Sequence, residues 1–496
     1  MILYWFLGSI PGLLSWGTLA LVIFLSWQKP VWIAIFIILF DIYWLSKSIY
    51  LSLHLRATFN KMKENLKIDW REKLNIFTDW ESVRHLVILP MATEPYEVVR
   101  DTFESLSQTN YPKDNFIIVL ATEERAGKEA EETAQKIKEK FSDLFPNLLI
   151  TKHPQDLPNE IPGKGSNESW AAKEVKEKFI DKNNIPYEKI LVSVFDIDTQ
   201  VYKEYFGKLT FDFLTAEKPQ HSSFQPIPLF INNIYQAPAF ARIISFSATF
   251  WQMMQQSRPE RLTTFSSHAM PFKALVEIGY WNKDIVSEDS RIFWQCYLYY
   301  EGDWRVVPMF YPVSMDANVA PTFWKTMINI YKQQRRWAWG AENIPYMLKG
   351  FIKNKSISLR TKLYWTFNAV EGFHSWSTHS LMIFALGWLP LFLGKGGFNE
   401  TVLAYNLPEI TRIIMTGAMV GIISSAILSI ILLPPREREL KRTDYLLYFF
   451  QWALLPITLI VFGAFPALDA QTRMILGGKW RLGFWVTPKD RERKLG

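Results

Sequence analysis

The stretch KILVSVFDID, Lys189 to Asp198, decides the fold. An apolar run broken only by Ser193 stops at two carboxylates spaced by two, which reads as a buried strand of ordinary length. Three upstream runs share its character: HLVIL at 85–89, ending at Pro90, FIIVLA at 116–121 and NLLITK at 147–152. Between the four lie YEVVRDTFESLS, GKEAEETAQKIKEKF and NESWAAKEVKEKFI, each with helical spacing. Strands alternating with such helices imply right-handed βαβ units and a mainly parallel, Rossmann-like α/β sheet. Ligands of such sheets bind at the carboxyl ends of strands. Pro90, Ala121 and Asp196 therefore mark where chemistry is expected.

Hydropathy sets this domain between membrane segments. The first charged side chain in the 496 residues is Lys29, and residues 31–53 form a second apolar run carrying only Asp41 and Lys47. Each run exceeds the roughly 20 residues that span a bilayer. No basic region precedes the first run, as a cleaved signal would need, so both are read as retained helices. Apolar runs return at 363–394, 410–434 and 444–468. Pro456 and Pro466 in the last suggest a re-entrant hairpin that returns the basic tail to the side it came from. The expected organisation is two membrane helices over 1–53, a soluble domain over 54–320 and interfacial helices over 321–362. Membrane helices over 363–475 and a basic tail over 476–496 complete it.

HLRATFNKMKENLK, KNKSISLRTK and REREL-KR flank the membrane segments, and this Lys/Arg bias places the large domain in the cytoplasm of a multi-pass inner or plasma membrane protein. One cysteine, Cys296, suits a reducing compartment. The net charge of +7 favours anionic lipid headgroups and phosphorylated substrates. Nucleic acid is not an expected partner, because the basic residues cluster at membrane boundaries and no nucleic-acid motif is present.

Asp196 and Asp198 can hold a hard divalent ion, Mg2+ or Mn2+, against a diphosphate, or simply close the strand as a solvated turn. Glu288 and Asp289 in VSEDSRIFWQ either favour a helix first turn or supply a general base. In IPGKGSNESW, Gly163 and Gly165 permit close backbone approach and Lys164 can meet phosphate; an ordinary helix-start loop reads the same way.

YKQQRRWAWG, Tyr331 to Gly340, carries a further signal. On a helix Gln333, Arg336 and Trp337 fall at roughly 0°, 300° and 40°, with Gly340 on the same face. Arg335 and Trp339 lie on another face. The first face suits diphosphate and a sugar ring, and the second suits lipid headgroups.

Taken in order, these elements resemble the membrane-integrated family-2 glycosyltransferases, a group that includes cellulose, chitin and hyaluronan synthases and ceramide glucosyltransferase. The likeness spans about residues 85–350 with the flanking helices, and implies a GT-A domain inserted between transmembrane α-helical segments. DID is similar to the family's metal-binding DxD, which gives that role to Asp196 and Asp198. SED is similar to its [TE]D signature, implying Asp289 as catalytic base with Glu288 beside it. Gln333, Arg336 and Trp337 match QxxRW, with Gln333 and Arg336 on the donor and Trp337 on the acceptor. GKGSN resembles the KAGALN nucleotide loop and implicates Lys164. TFSSHAMPF resembles the acceptor-side segment and implicates Ser266, Ser267 and His268. PMATEP resembles the P-x-x-N-E start and implicates Glu94. The tail WVTPK is similar to that of members with cytoplasmic tails. VLATEE departs from the family, which carries an Asp pair there to read the nucleotide, and Ser287 replaces the usual threonine.

The resemblance implies inverting transfer from a nucleotide-sugar donor, a UDP-sugar, to a growing β-linked polysaccharide or a lipid acceptor. Asp41, Glu371, His374 and His379 at membrane depth fit a polymer channel or a lipid-acceptor site equally. The plainer alternative pairs Asp41 with Lys47 or a neighbouring helix. A rival of another class is a non-catalytic transporter or scaffold with a degenerate transferase domain; it should have lost Asp198, Asp289 or Arg336, and all three are present.

Overall fold

The computed structural model describes residues 2–435 and 441–488. The basic stretch REREL at 436–440 and the tail beyond 488 lie outside the described residues. Two long helices open the chain, α1 (Ile2–Gln28) and α2 (Pro30–Asn65). Pro30 sits at the first position of α2, where its missing N–H costs nothing. The helix continues past residue 53, so its polar end reaches into the α/β domain.

The expected strands form as β1 (Arg84–Pro90), β2 (Phe116–Glu123), β3 (Leu148–His153) and β4 (Ile190–Val194). They alternate with α3 (Tyr96–Ser107), α4 (Gly127–Phe141) and α5 (Lys164–Val175). β1 pairs in parallel with β2 on one side and β4 on the other. Along β1, Val87 and Leu89 face one hydrophobic core while Leu86 and Ile88 face a second. That two-residue period is why the strand reads as continuously apolar.

The sheet is larger and more mixed than expected. β5 (Gln200–Val201), β6 (Ser222–Phe230), β7 (Ala269–Pro271) and β8 (Arg305–Met315) complete an eight-stranded order β3-β2-β1-β4-β7-β6-β8-β5. β7 runs antiparallel to β4 and β6, β5 antiparallel to β8, while β6 and β8 are parallel. The later strands are short, or carry prolines and polar residues, so neither run length nor alternation marked them. The order reverses at β1, between β2 and β4, the kind of switch point where such sheets bind ligands.

Beyond the sheet come α6 (Glu288–Tyr299), α7 (Phe323–Ala338), α8 (Leu359–Phe384), α9 (Val402–Ile431) and α10 (Arg442–Leu476). α1, α2, α9 and α10 are each long and apolar enough to cross a membrane; α8 and the short helix Leu389–Leu393 do so together with a 50° bend. The hairpin expected at 444–468 does not form. Pro456 and Pro466 each fall at the first or second position of a helical segment, where no N–H is lost, and a π turn at Ile460–Ala464 carries the helix through. The sharp bend falls in α8 and its successor instead.

One shared core fastens bundle to domain: Leu55 and Met62 of α2 pack with Ile227 and Leu229 of β6 and with Ala426 and Trp452 of the last helices. Inside the bundle Lys47 pairs with Glu371 at 2.6 Å and not with Asp41. His374 reaches Thr18 at 3.0 Å.

Candidate active site

β4 ends at Val194, and Phe195 donates its backbone N–H to the Ile88 carbonyl at 3.1 Å, so Asp196 leaves the sheet beside the end of β1. A turn closed by Thr199 N–H to the Asp196 carbonyl at 2.8 Å follows. The two carboxylates then diverge. Asp196 is partly exposed, its side chain at 32%, and accepts from the Ser266 hydroxyl at 2.8 Å. Asp198 is fully buried and accepts the Asp316 N–H at 2.9 Å.

Lys164, at the start of α5, organises the centre. Its ammonium lies 2.9 Å from Asp196 Oδ1, 2.9 and 2.8 Å from the two oxygens of Asp289, 3.6 Å from Glu168 and 3.7 Å from Glu288. Burial would lower the lysine pKa, but Asp196, Asp289, Glu168 and Glu288 together carry it well above the usual value. The group stays an ammonium. Burial and the Asp289 charge push the Glu288 carboxyl up to about 8, so at neutral pH it is mostly protonated. Burial also raises Glu168, against the pull of Lys164. Of Glu288 and Asp289, Asp289 lies closer to Lys164, at 2.8 against 3.7 Å, and is partly open to the site, its side chain at 22% exposure.

The two loop glycines admit protein rather than ligand. A Cβ on Gly165 would lie 3.1 Å from the Asn282 carbonyl and from Glu288 Cβ, so glycine lets α5 close onto the α6 start. A Cβ on Gly163 would meet the Phe484 ring at 2.5 Å.

The segment before β7 supplies a wall. Ser267 adopts φ 67°, rare for a residue with a side chain, and its hydroxyl lies 3.3 Å from that of Thr199. His268 is buried, contacts the Phe265 carbonyl at 3.0 Å and lies 3.8 Å from Asp289. Burial lowers its pKa, with Asp289 opposing, so it is a neutral imidazole at pH 7. Glu94 sits in the loop after β1, its carboxylate accepting the Ala92 N–H at 2.7 Å; it shares the sheet edge but is not among the Lys164 partners.

α7 lies across this edge as a helix through the QxxRW residues. Gln333 accepts from Asn318 at 3.4 Å, Trp337 lies 6.0 Å from the rings of both Phe230 and Phe265, and the Arg336 guanidinium stands 5.2 Å over the Phe484 ring. The second face does not meet lipid. Arg335 pairs with Asp469 of α10 at 2.8 Å, and Trp339 is buried with its indole N–H on Glu342 at 3.0 Å. Gly340 faces the Phe373 ring at 3.5 Å, not another backbone. Ser287 donates to Glu342 at 2.8 Å, tying the SED turn to the 3-10 turn that follows α7.

Three contributors were not singled out from sequence. Glu168 sits one helical turn after Lys164, an i,i+4 acid–base spacing that could have marked it. Thr264 donates to the Asp289 carbonyl at 2.6 Å. Phe484 returns from beyond α10 to pack, with Leu482, against Ile161, Val286 and Trp339, and no local spacing announces that. In the VLATEE stretch, Thr122 donates to the Thr151 carbonyl, and Glu123 lies within β2, paired with Arg125.

The donor set at Asp196 is all oxygen, the preference of Mg2+ or Mn2+. No group of three or more His, Cys, Asp or Glu among the described residues is arranged to hold an ion alone. A hard ion fits here with one or two carboxylates when substrate phosphate fills the remaining positions.

A family model described as "Glycosyl transferase family group 2" matches residues 191–464, more than half of the 496-residue chain, and the chain belongs to that family. It is a glycosyltransferase with a GT-A catalytic domain, a curled mixed sheet flanked in sequence by apolar helices. Poly-beta-1,6-N-acetyl-D-glucosamine synthase of Staphylococcus epidermidis is 22% identical over 327 residues, covering 65% of this chain and 68% of that one. Among solved structures, the mannosyltransferase PcManGT from Pyrobaculum calidifontis in complex with GDP-Man and Mn2+ aligns with TM-score 0.41 and 13% identity, over 83% of this chain and 96% of that chain. S. aureus TarS 1–349 in complex with UDP-GlcNAc aligns with TM-score 0.36 and 12% identity, over 80% and 93%.

Proposed function

We propose that the chain transfers a sugar, with inversion, from a UDP-sugar to a growing β-linked polysaccharide at the cytoplasmic face of the membrane. The observation that carries this reading is the Lys164 ammonium held between Asp196 and Asp289 at the sheet switch point. The name of the staphylococcal relative supports N-acetylglucosamine as the first sugar to try.

The donor diphosphate enters beside Asp196. A divalent ion bound by Asp196 and Asp198 together with the diphosphate would offset charge on the leaving group. Diphosphate oxygens compete with Asp289 for the Lys164 ammonium and meet the Arg336 guanidinium, and drawing Lys164 away uncovers the Asp289 carboxylate. Asp289 then accepts the proton of the acceptor hydroxyl as that oxygen attacks the anomeric carbon in line. Glu288, protonated, keeps a second negative charge away from the incoming donor. Trp337, flanked by Phe230 and Phe265, offers an aromatic face for the acceptor ring, with Ser266, Ser267 and His268 following Phe265 along the same segment. Glu94 and Gln333 border the nucleotide.

Purified protein in lipid nanodiscs, incubated with Mg2+ or Mn2+ and a panel of labelled nucleotide sugars, tests this. Label retained in an oligomer ladder supports polymer synthesis. Label in a single lipid-extractable product would replace it with lipid glycosylation, and no release from any nucleotide sugar would overturn both.

A further inference from the structure

Where α2 and α8 approach the catalytic domain, a cleft of about 350 Å3 opens between them and the short turn Pro259–Arg261. Its walls include Lys47, Arg258, Arg261, Tyr43, Tyr50 and Phe367. The charge inside is unbalanced. Lys47 is paired with Glu371, which also accepts from Ser375 at 2.9 Å. Arg258 and Arg261 have no ion pair among the described residues, with Glu260 and Glu371 the carboxylates within electrostatic reach of them, so three cations face two carboxylates and one positive charge remains. Arg258 is 4% exposed, and its guanidinium makes no hydrogen bond among the described residues; its nearest ring is Tyr50 at 5.9 Å. Arg258 lines the cleft, so the tip of its guanidinium is open to an anion that enters there.

The mouth says what kind of ligand. Tyr43, Tyr50 and Phe367 are about half or more exposed, and Leu39 and Leu53 continue the apolar surface along α2. These are membrane-length helices, and tyrosines beside basic side chains mark the headgroup level. A phosphodiester matches two guanidinium forks bidentately, and the apolar surface outside suits acyl chains.

We propose that this cleft binds the phosphate of an anionic phospholipid, with Arg258 and Arg261 as its ligands and the acyl chains lying along α2 and α8. The bound lipid also anchors a catalytic segment. Arg261 lies three residues before Thr264, which holds the Asp289 carbonyl, and five before Ser266, which holds the Asp196 carboxylate.

Native mass spectrometry of the full chain in detergent, with equal amounts of phosphatidylglycerol and phosphatidylcholine of matched acyl chains, tests the assignment. Phosphatidylglycerol adducts should be favoured by about fivefold per unpaired cation. Arg261→Gln, at a half-buried position, should cut that preference about fivefold, and Arg258→Gln should do the same. Lys63→Gln, on α2 outside the cleft, should leave it unchanged. Equal uptake of the two lipids, or a preference that survives Arg261→Gln, would overturn the proposal. Displacement of the adduct by millimolar inorganic phosphate would overturn the lipid assignment in favour of a soluble-anion site.

Discussion

Lys164 Nζ lies 2.8 Å from Asp289 Oδ2, and the same ammonium lies 2.9 Å from Asp196 Oδ1. Two carboxylates contributed by segments about 90 residues apart in the chain are thus held by a single cation, with Glu168 and Glu288 just behind. Replacing it by Lys164→Met leaves four acidic groups facing one another. Removing one partner of a buried ionic cluster typically costs about 3–5 kcal/mol. The apparent melting temperature should fall most at pH 8 and recover toward pH 5.5 as the carboxyls take up protons. A melt unchanged at pH 8 would show that Lys164 does not hold the cluster.

Asp289→Asn tests the base directly. The amide keeps the size and can still lie beside Lys164, so the fold and donor binding should persist. Transfer should fall by about 10²–10⁴-fold. Donor titration by calorimetry alongside turnover separates the two, and near-normal turnover would remove Asp289 from the role.

Glu288 gives a pH signature with a definite sign. Its folded-state pKa lies near 8 against an ordinary 4.5, first because of burial and then because of Asp289. Between those values the folded protein binds more protons at this site than the unfolded chain, so stability falls as pH rises through the window and levels off above it. Glu288→Gln, permanently neutral, lacks this contribution. The melting-temperature difference between Glu288→Gln and wild type should therefore grow from pH 5 to pH 8, as differential scanning fluorimetry can follow.

Much of this site was legible because each motif sat at a structurally decisive point. An apolar run ending in Asp196 is a strand arriving at a sheet edge, and 3.6-residue spacing put Gln333, Arg336 and Trp337 on one side of α7. Helical phase says which residues share a face, not what that face meets. Arg335 and Trp339 therefore read as lipid-facing from sequence, whereas their partners in the fold are Asp469 and Glu342. Pro456 and Pro466 misled in the same manner, since proline breaks a helix only where an N–H is needed. The short antiparallel strands carried no periodic signal, and the Phe484 contact depends on a fold that brings residues 163 and 484 together.

That contact supports a last prediction. With no side chain at Gly163, Phe484 packs against the loop before α5, with the Arg336 guanidinium over its ring. Gly163→Ala would place a methyl 2.5 Å from the Phe484 Cγ, so the ring must move and Arg336 loses its platform. A cation–π contact of this exposure contributes about 0.5–1 kcal/mol, so the donor KM should rise about two- to fivefold. Phe484→Ala should raise KM by a similar factor through Arg336 alone. Because both changes act through one ring, the double variant should be no worse than the poorer single variant. Fully additive losses in a double-mutant cycle on donor KM would mean that Gly163 is required for the loop's own backbone geometry and not for the approach of Phe484.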